Sequence, residues 1–282
     1  MTRMAGVQHA HRAFASDRSP RRELAGAAPA AVQVLDVLRF LAGQRGPVAA
    51  AVIARDLQLP RSSVYQHLRA LQHLGYVVHL REERRYALGI AAFELSSGYL
   101  RQEPLARIGA HLLASLVDRL GENAHLAVLH GRDVLYLVEE RAPHRPALVT
   151  DVGVRLPSHL TASGRAMLAM LPEAQLRALF PDDASLAERG ERGPHTVSEL
   201  RSVLDEVRRL GYGFEDGEVT EGIASVAVAV AERSGWPEAA VTVSFPSDAI
   251  PPARRPALAT RIREFSDELA RRLGAGPQSA PD

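Results

Sequence analysis

The sequence predicts an α+β fold in two parts: a small helical module closed by a hairpin, then a larger domain of helices around an antiparallel sheet. Three observations predict it. Helical periods give way to strand-like runs within residues 30–89, and the same switch recurs at 124–139 and 223–245. Charge also divides between the parts. Residues 1–89 hold 13 Arg against 6 Asp or Glu, a formal +7, while residues 90–282 hold 21 Arg against 27 acids, a formal −6. The net +1 of the 282-residue chain hides this division. A positive field confined to the N-terminal third points to a module for a polyanion joined to an acidic domain with another task.

The first helical period is 31–42 (AVQVLDVLRFLA), with Val34, Leu35, Leu38 and Leu41 as its apolar stripe, and it ends at Gly43 and Gly46-Pro47. A short helix at 48–57 leads into Gln58-Leu59-Pro60, and a third helix over 61–74 stops at Gly75. Tyr76 to Leu80, the charged turn Arg81-Glu82-Glu83-Arg84, and Arg85 to Leu88 form a hairpin pattern. Three short helices followed by a hairpin outline a winged helix-turn-helix at 30–89. Residues 1–29, with Arg3, Arg12, Arg18, Arg21 and Arg22 among small and polar residues, are expected to be a disordered basic tail, as is the acid-ended stretch 275–282.

Past Gly89, residues 90–101 read as a linker helix carrying Ile90, Phe93 and Leu100. A helix after Pro104 puts Leu105, Ile108, Leu112, Leu116 and Leu120 on one stripe. The domain at 102–274 then shows a hairpin (124–129 and 134–139), a strand at 147–152, Gly153 to Pro157, and helices at 161–170, 173–180 and 197–210. Strands at 223–231 and 239–245 flank a turn at Ser234-Gly235, and an amphipathic helix at 256–273 closes the domain.

Composition excludes several function classes. The chain has no Cys, which removes disulfide scaffolds, Cys-based zinc sites, redox CxxC motifs and a cysteine nucleophile, and makes the cytoplasm the expected compartment. The longest nearly apolar run, Ile223 to Ala231, falls far short of the roughly 20 residues of a membrane span, so no membrane partner is expected. All the basic residues other than His are Arg.

On the third helix, Val64, Leu68 and Leu71 mark the buried direction. At about 100° per residue, Ser62, Gln66, Arg69 and His73 lie almost opposite it, with Gln66 about 200° from Val64. Side chains of this kind suit base edges and phosphates, although a solvated surface helix shows the same pattern. The hairpin tip, with Arg81, Arg84 and Arg85, strengthens the DNA reading, because such a tip can lie along the backbone or minor groove. In the second domain, Thr161-Ala162-Ser163-Gly164 places hydroxyls and small residues at a helix start, which suits an anion or an ordinary N-cap.

Taken together, the chain resembles the IclR-type bacterial transcriptional regulators. The resemblance rests on Ile53-Ala54, Leu57, Leu59 to Tyr65, Leu68, Leu71, Leu74 to Val77 and Tyr86 to Gly89. It resumes at Gly153 to Pro157, Thr161 to Ala166, Leu168-Ala169, Gly211-Tyr212, Glu218, Gly222 and the strands 223–231 and 241–246. It spans roughly 30–274, and the order and spacing of the pieces make it strong.

The resemblance implies an N-terminal winged helix, a linker helix that helps dimerisation, and a C-terminal effector-binding domain similar to the GAF fold. It also implies a homodimer or dimer of dimers on double-stranded operator DNA, and a small organic effector, often a carboxylic acid or aromatic compound. Arg61, Ser62, Ser63, Gln66 and Arg69 are then the DNA contacts, with Arg84 and Arg85 supporting from the wing. Glu215, Ser225, Thr242 and Ser244 join Thr161, Ala162, Ser163 and Gly164 as candidate effector contacts; Thr242 and Ser244 share a strand face. Where relatives commonly carry Thr and Arg, this chain has Ser63 and Gln66, which should change the base that is read.

Enzymatic readings find little support. Ser163-Gly164 is no GxSxG elbow, and there is no P-loop or GxGxxG, so neither catalytic residues nor cofactors are expected. Acyl transfer by Ser163 and His159 remains as a remote alternative. A metal sensor built from His125, His130, His144, His159 and His195 is the other, although no pair has the helical HxxxH spacing.

Overall fold

A computed structural model describes residues 28–44, 46–102, 104–143, 145, 152–187 and 192–274. They form two units, divided after Gln102.

In the first unit, helices Pro29–Ala42 (α1), Ala50–Asp56 (α2) and Arg61–His73 (α3) precede strands Val77–Leu80 (β1) and Arg85–Leu88 (β2), and Ile90–Gln102 (α4) follows. The tail expected at 1–29 lies outside the described residues up to 27, and Pro29 already opens α1, where its missing N–H leaves no helical bond unmade. Val37, Leu41, Ile53, Val64, Leu68, Leu71 and Val77 form the core. One expectation is corrected: Leu35 is 59% exposed, and Val37 takes its place. Positions 34, 37, 38 and 41 follow the i, i+3, i+4, i+7 stripe, and position 35 falls outside it.

Between α2 and α3, Gln58 adopts a left-handed φ of 55°, and Pro60 stands at the N-cap of α3 with extended backbone. β1 and β2 pair antiparallel with His79 opposite Tyr86. Val48 adds a third rung by exchanging two backbone hydrogen bonds of 2.8 Å with Tyr86. This ties the hairpin to the loop before α2. At the other end, the Gly89 N–H donates to the Tyr76 carbonyl at 2.8 Å and the Ala91 N–H to the Gly75 carbonyl at 3.2 Å. The start of α4 is thus anchored to the turn after α3.

The second unit begins with Pro104–Leu120 (α5), Asn123–His130 (β3), Asp133–Glu140 (β4) and Arg155–Pro157 (β5). A 3-10 turn at Ser158–Leu160 leads to Ala162–Leu168 (α6), Glu173–Leu179 (α7) and Val197–Leu210 (α8). Gly213–Asp216 (β6), Ile223–Ala231 (β7), Pro237–Pro246 (β8) and Arg255–Arg272 (α9) complete it. The sheet is antiparallel in the order β5-β4-β3-β8-β7-β6. β6 was not anticipated, because four residues with one large apolar side chain, Phe214, show no periodicity. Of the strand expected at 147–152, residues 147–151 lie outside the described residues and Val152 is exposed in a turn. The tail expected at 275–282 also lies outside them.

The two sheet faces differ in kind. Val226, Val228, Val230, Val241, Val243 and Phe245 pack with the leucines of α5 and with Ile262, Phe265 and Leu269 of α9. The alternate residues Ala227, Ala229 and Ala240 face Ala162, Ala166 and Met167 of α6. These side chains are small because α6 sits close: a Cβ on Gly213 would overlap the Ala162 carbonyl oxygen. α8 packs outside α6, with Leu200 and Leu204 against Leu168, Leu176 and Phe180.

Gly89 generates a prediction for the first unit, since a Cβ there would run into the Gly75 carbonyl oxygen and crowd the Val77 N–H. Gly89→Ala should destabilise the protein by about 1–3 kcal/mol, as overpacking does. Chemical denaturation followed by circular dichroism measures this, and an unchanged midpoint would show that the junction yields freely.

Candidate functional site

The exposed side of α3 follows from its core side. Val64, Leu68 and Leu71 are buried, and Arg61, Ser62, Gln66, Arg69 and His73 are exposed, while Ser63 is half-buried. His67 turns inward and its Nε2 pairs with Gln33 Oε1 at 2.9 Å, which locks α3 against α1. In the wing, Arg84 and Arg85 are both exposed, and Arg84 closes the turn with a left-handed φ of 52°. Backbone strain of this kind is held here by the paired strands on either side.

Sequence reasoning passed over two features of this surface. Tyr65 is 56% exposed beside Gln66 and Ser62. No Asp or Glu occurs between Asp56 and Glu82, so the exposed polar side chains of α3 carry N–H or O–H donors and no carboxylate. That gap in the acid distribution was the available signal. A surface of donors without carboxylates presents hydrogen bonds to phosphate and base acceptors without local repulsion.

In the second unit, the Thr161 hydroxyl acts as the N-cap of α6. It accepts from the Gly164 N–H at 3.0 Å and is itself 3.4 Å from the Ser158 carbonyl. The cap therefore occupies this hydroxyl, and Ala162 and Gly164 serve close packing. The Ser163 Oγ is fully buried and has no hydrogen-bond partner. Next along the helix, the Arg165 Nε donates to the His159 carbonyl at 2.8 Å, and its Nη1 donates to the Phe214 carbonyl at 2.6 Å and to Glu218 Oε1 at 3.1 Å. This buried cation joins α6 to β6, and its own charge is met by Glu218.

On the sheet face that α6 covers, register brings the strand candidates together. Glu215 pairs with Ser225, and Ser225 with Ser244. The Ser225 hydroxyl lies 2.7 Å from Glu215 Oε1 and 3.0 Å from the Ser244 hydroxyl. All three side chains are buried. Burial pushes Glu215 up to about 7; the Ser225 hydroxyl, the Val219 N–H and Arg165 oppose the shift, and the Glu218 carboxylate adds to it. Thr242 lies one rung further along β8, buried, with no partner for its hydroxyl.

Thr242 faces His125 across the strands, and His125 faces Glu139. His125 is fully buried, with Nε2 at 3.7 Å from Glu139 Oε1, beyond hydrogen-bond range, and Glu139 Oε2 pairs with Arg141 Nη2 at 2.9 Å. Burial alone would raise Glu139, but His125 and Arg141 outweigh it and hold the carboxyl down at about 2. Glu139 was not among the expected site residues. Its position follows only from strand register.

The other histidines do not join this group. His159 is buried with Nε2 at 3.1 Å from the Ala187 carbonyl, so that nitrogen carries the proton, and burial pushes the ring down to about 4. His130 and His195 are exposed, and His144 lies outside the described residues. Among the described residues, no three His, Asp or Glu side chains are gathered in a way that could hold a metal ion.

A helix-turn-helix with a wing, followed by an α+β unit with a buried polar row on its sheet, defines a DNA-binding regulator with a separate effector domain. Comparison with known proteins agrees. Residues 30–81 match the family model of the IclR helix-turn-helix domain, and residues 97–271 match that of the bacterial transcriptional regulator IclR C-terminal region. The chain belongs to the IclR family of bacterial transcriptional regulators, which are not enzymes.

Among curated relatives, the glycerol operon regulatory protein of Streptomyces griseus is 33% identical over 85% of this chain and 94% of its own. The transcriptional repressor IclR of Escherichia coli is 28% identical over 80% of this chain and 85% of its own. The crystal structure of the Thermotoga maritima IclR superposes with a TM-score of 0.65 at 25% identity, covering 86% of this chain and 97% of that one. An IclR homolog from Microbacterium hydrocarbonoxydans, complexed with 4-hydroxybenzoate, shares the fold with a TM-score of 0.74 at 22% identity, covering 87% and 99%.

Because the folded state raises Glu215 above the ordinary carboxylate value of about 4.3, the group stabilises the fold fully below that value. This contribution is lost as pH rises through about 7. Melting temperature measured against pH should therefore fall between these limits in the wild type relative to Glu215→Gln, whose amide does not titrate. Parallel curves for the two proteins would show that Glu215 does not hold a proton in the fold.

Proposed function

We propose that this protein is a homodimeric, ligand-responsive transcription factor in which α3 enters the major groove of operator DNA and the sheet face under α6 receives a small carboxylic or aromatic acid. The observation that carries the reading is the separation of two surfaces: a donor face without carboxylates on α3, and a buried hydroxyl–carboxyl row in a different unit. Arg61, Ser62, Ser63, Gln66 and Arg69 contact DNA, and Arg84 and Arg85 clamp the backbone from the wing. The boundaries are a DNA-binding module at 30–89, a linker helix at 90–101 and an effector domain at 102–274, acting in the cytoplasm.

Dimerisation has its own support. Ile90 and Phe93 on α4 are each 68% exposed, and Leu35 on α1 and Leu74 after α3 are also exposed. Apolar side chains left in water on one small unit mark a surface for a partner, here a second copy. Pairing of two such dimers is the larger assembly that fits this reading. The acid in the Microbacterium relative supports the effector class. The effector acts by its differential affinity for two arrangements of the DNA-binding heads.

Two measurements test the DNA contacts. Gln bonds adenine through N6 and N7, whereas Arg forks onto guanine, so Gln66→Arg should move the preference at one position of each half-site from adenine to guanine by about 1–3 kcal/mol. Selection of binding sites from random DNA by both proteins reads this directly; identical motifs would place Gln66 on phosphate or solvent. Arg84→Ala should weaken all sequences alike and reduce the slope of log affinity against log salt by about 1 per clamp. A changed base preference with an unchanged slope would remove Arg84 from the backbone.

A further inference from the structure

Among the described residues, the left-handed backbone region holds ten glycines and two residues with a side chain, Gln58 at φ 55° and Arg84 at φ 52°. Both belong to the first unit. Arg84 stands at the tip of the wing, and Gln58 stands in the turn from α2 to α3.

The way α2 ends sets the conformation of Gln58. The Leu59 N–H donates to the Ala54 carbonyl at 3.0 Å and the Gln58 N–H to the Arg55 carbonyl at 3.2 Å. These are the paired bonds of a Schellman cap, which needs a left-handed residue where Gln58 stands. Glycine fills that place at other helix ends of this chain: Gly75 (φ 77°) after α3, Gly121 (φ 69°) after α5 and Gly211 (φ 74°) after α8. A side chain in this region costs free energy that glycine avoids, and such strain gathers where the side chain has a task.

The surroundings of Gln58 show what the task can be. Leu57 and Leu59 pack against the core on either side of it, and Gln58 itself is exposed. Its side-chain amide makes no hydrogen bond to the described residues. Three residues of chain reach at most about 11 Å, so Gln58 lies within that distance of Arg61 at the exposed start of α3. A major groove is about 12 Å wide. A side chain set back this far from an inserted helix meets the phosphates of the groove wall before it meets base edges. The nearest acid along the chain, Asp56, is paired with Arg55 at 2.6 Å, and no other acid occurs before Glu82.

We propose that Gln58 is a further DNA-contact residue of this unit, its side-chain amide donating through Nε2 to a phosphate on the wall of the groove that α3 enters. This rests on the reading of α3 as the DNA face. It adds a neutral contact ahead of the helix to the charged contacts on the helix and the wing.

Binding of the full chain to long mixed-sequence duplex DNA over a range of salt tests it, because a phosphate contact does not depend on sequence. Gln58→Gly keeps the left-handed turn and removes the amide. Its affinity should fall about threefold to tenfold, with an unchanged salt slope because no charge is lost. Its melting temperature should hold or rise, since relief of the strain offsets the freer unfolded chain. Gln58→Arg places a cation at the same point and should tighten binding and steepen the slope of log affinity against log salt by about 1. A Gln58→Gly protein that binds like the wild type, or that loses affinity and melting temperature together, overturns the proposal. A loss confined to one selected sequence, or a Gln58→Arg protein with the wild-type affinity and slope, overturns the phosphate contact. Arg69→Ala separates this proposal from the reading beneath it. If Arg69→Ala weakens binding and Gln58→Gly does not, α3 remains the DNA face and Gln58 is excluded; if neither variant changes binding, the DNA face falls as well.

Discussion

The register of β7 against β8 governs the effector unit. In β7 the sequence IASVAVAVA alternates a branched side chain with a small one, and antiparallel pairing carries the alternation across to β8. One face becomes a valine surface that takes α5 and α9, and the other becomes a floor of Ala, Ser and Thr on which α6 rests. A slip of one residue would exchange the faces, placing Ser225, Thr242 and Ser244 against leucines and the valines under α6. Core packing and the polar row are therefore one constraint seen from two sides.

The close seat of α6 depends on that floor. Gly213 lets the Ala162 carbonyl approach the sheet, and Arg165 reaches from α6 to the Phe214 carbonyl and Glu218. A guanidinium buried this deeply would be costly alone, but its Nε and Nη1 donate to two carbonyls and a carboxylate, which meets the charge and pins the helix in orientation, while Nη2 has no hydrogen-bond partner. Glu215 lies nearby without such a match, bonded to a serine hydroxyl and a distant amide. A paired ion, Arg165 with Glu218, thus lies beside a carboxyl on β6 that burial pushes up, and the difference is one of hydrogen-bond partners.

The DNA-binding unit solves a smaller problem in a similar way. Its core is little more than ten side chains, so local ties matter. His67 bonds Gln33, Val48 pairs with Tyr86, and the Ala91 N–H donates to the Gly75 carbonyl, holding α4 to the turn after α3. Each tie lies on the inward side of its element and leaves the outward side of α3 free to carry donors. The exposed Leu35, Ile90 and Phe93 show where this small core leaves apolar surface uncovered.

The order and type of the elements were legible in the sequence, because periodicity reports one residue's neighbours along the chain: α8 and β7 have the bounds that spacing alone suggests. The inward and outward sides of α3 were legible for the same reason, and resemblance singled out Glu215, Ser225, Thr242 and Ser244, which register brings to one buried sheet face. What lay beyond reach depended on partners far along the chain. β6 is a strand only because β7 pairs with it, and Leu35 is exposed because the hydrophobic stripe of α1 follows where α3 packs. The Glu139 side chain reaches the polar face because β4 crosses β3 opposite His125. The sequence by itself determined a winged helix-turn-helix, an antiparallel α+β domain and the division of charge between them, since these are local patterns. Only the tertiary structure decided which hydroxyls are satisfied and which carboxyls are neutral, because burial and hydrogen-bond partners are set by pairing across strands, which no local pattern records.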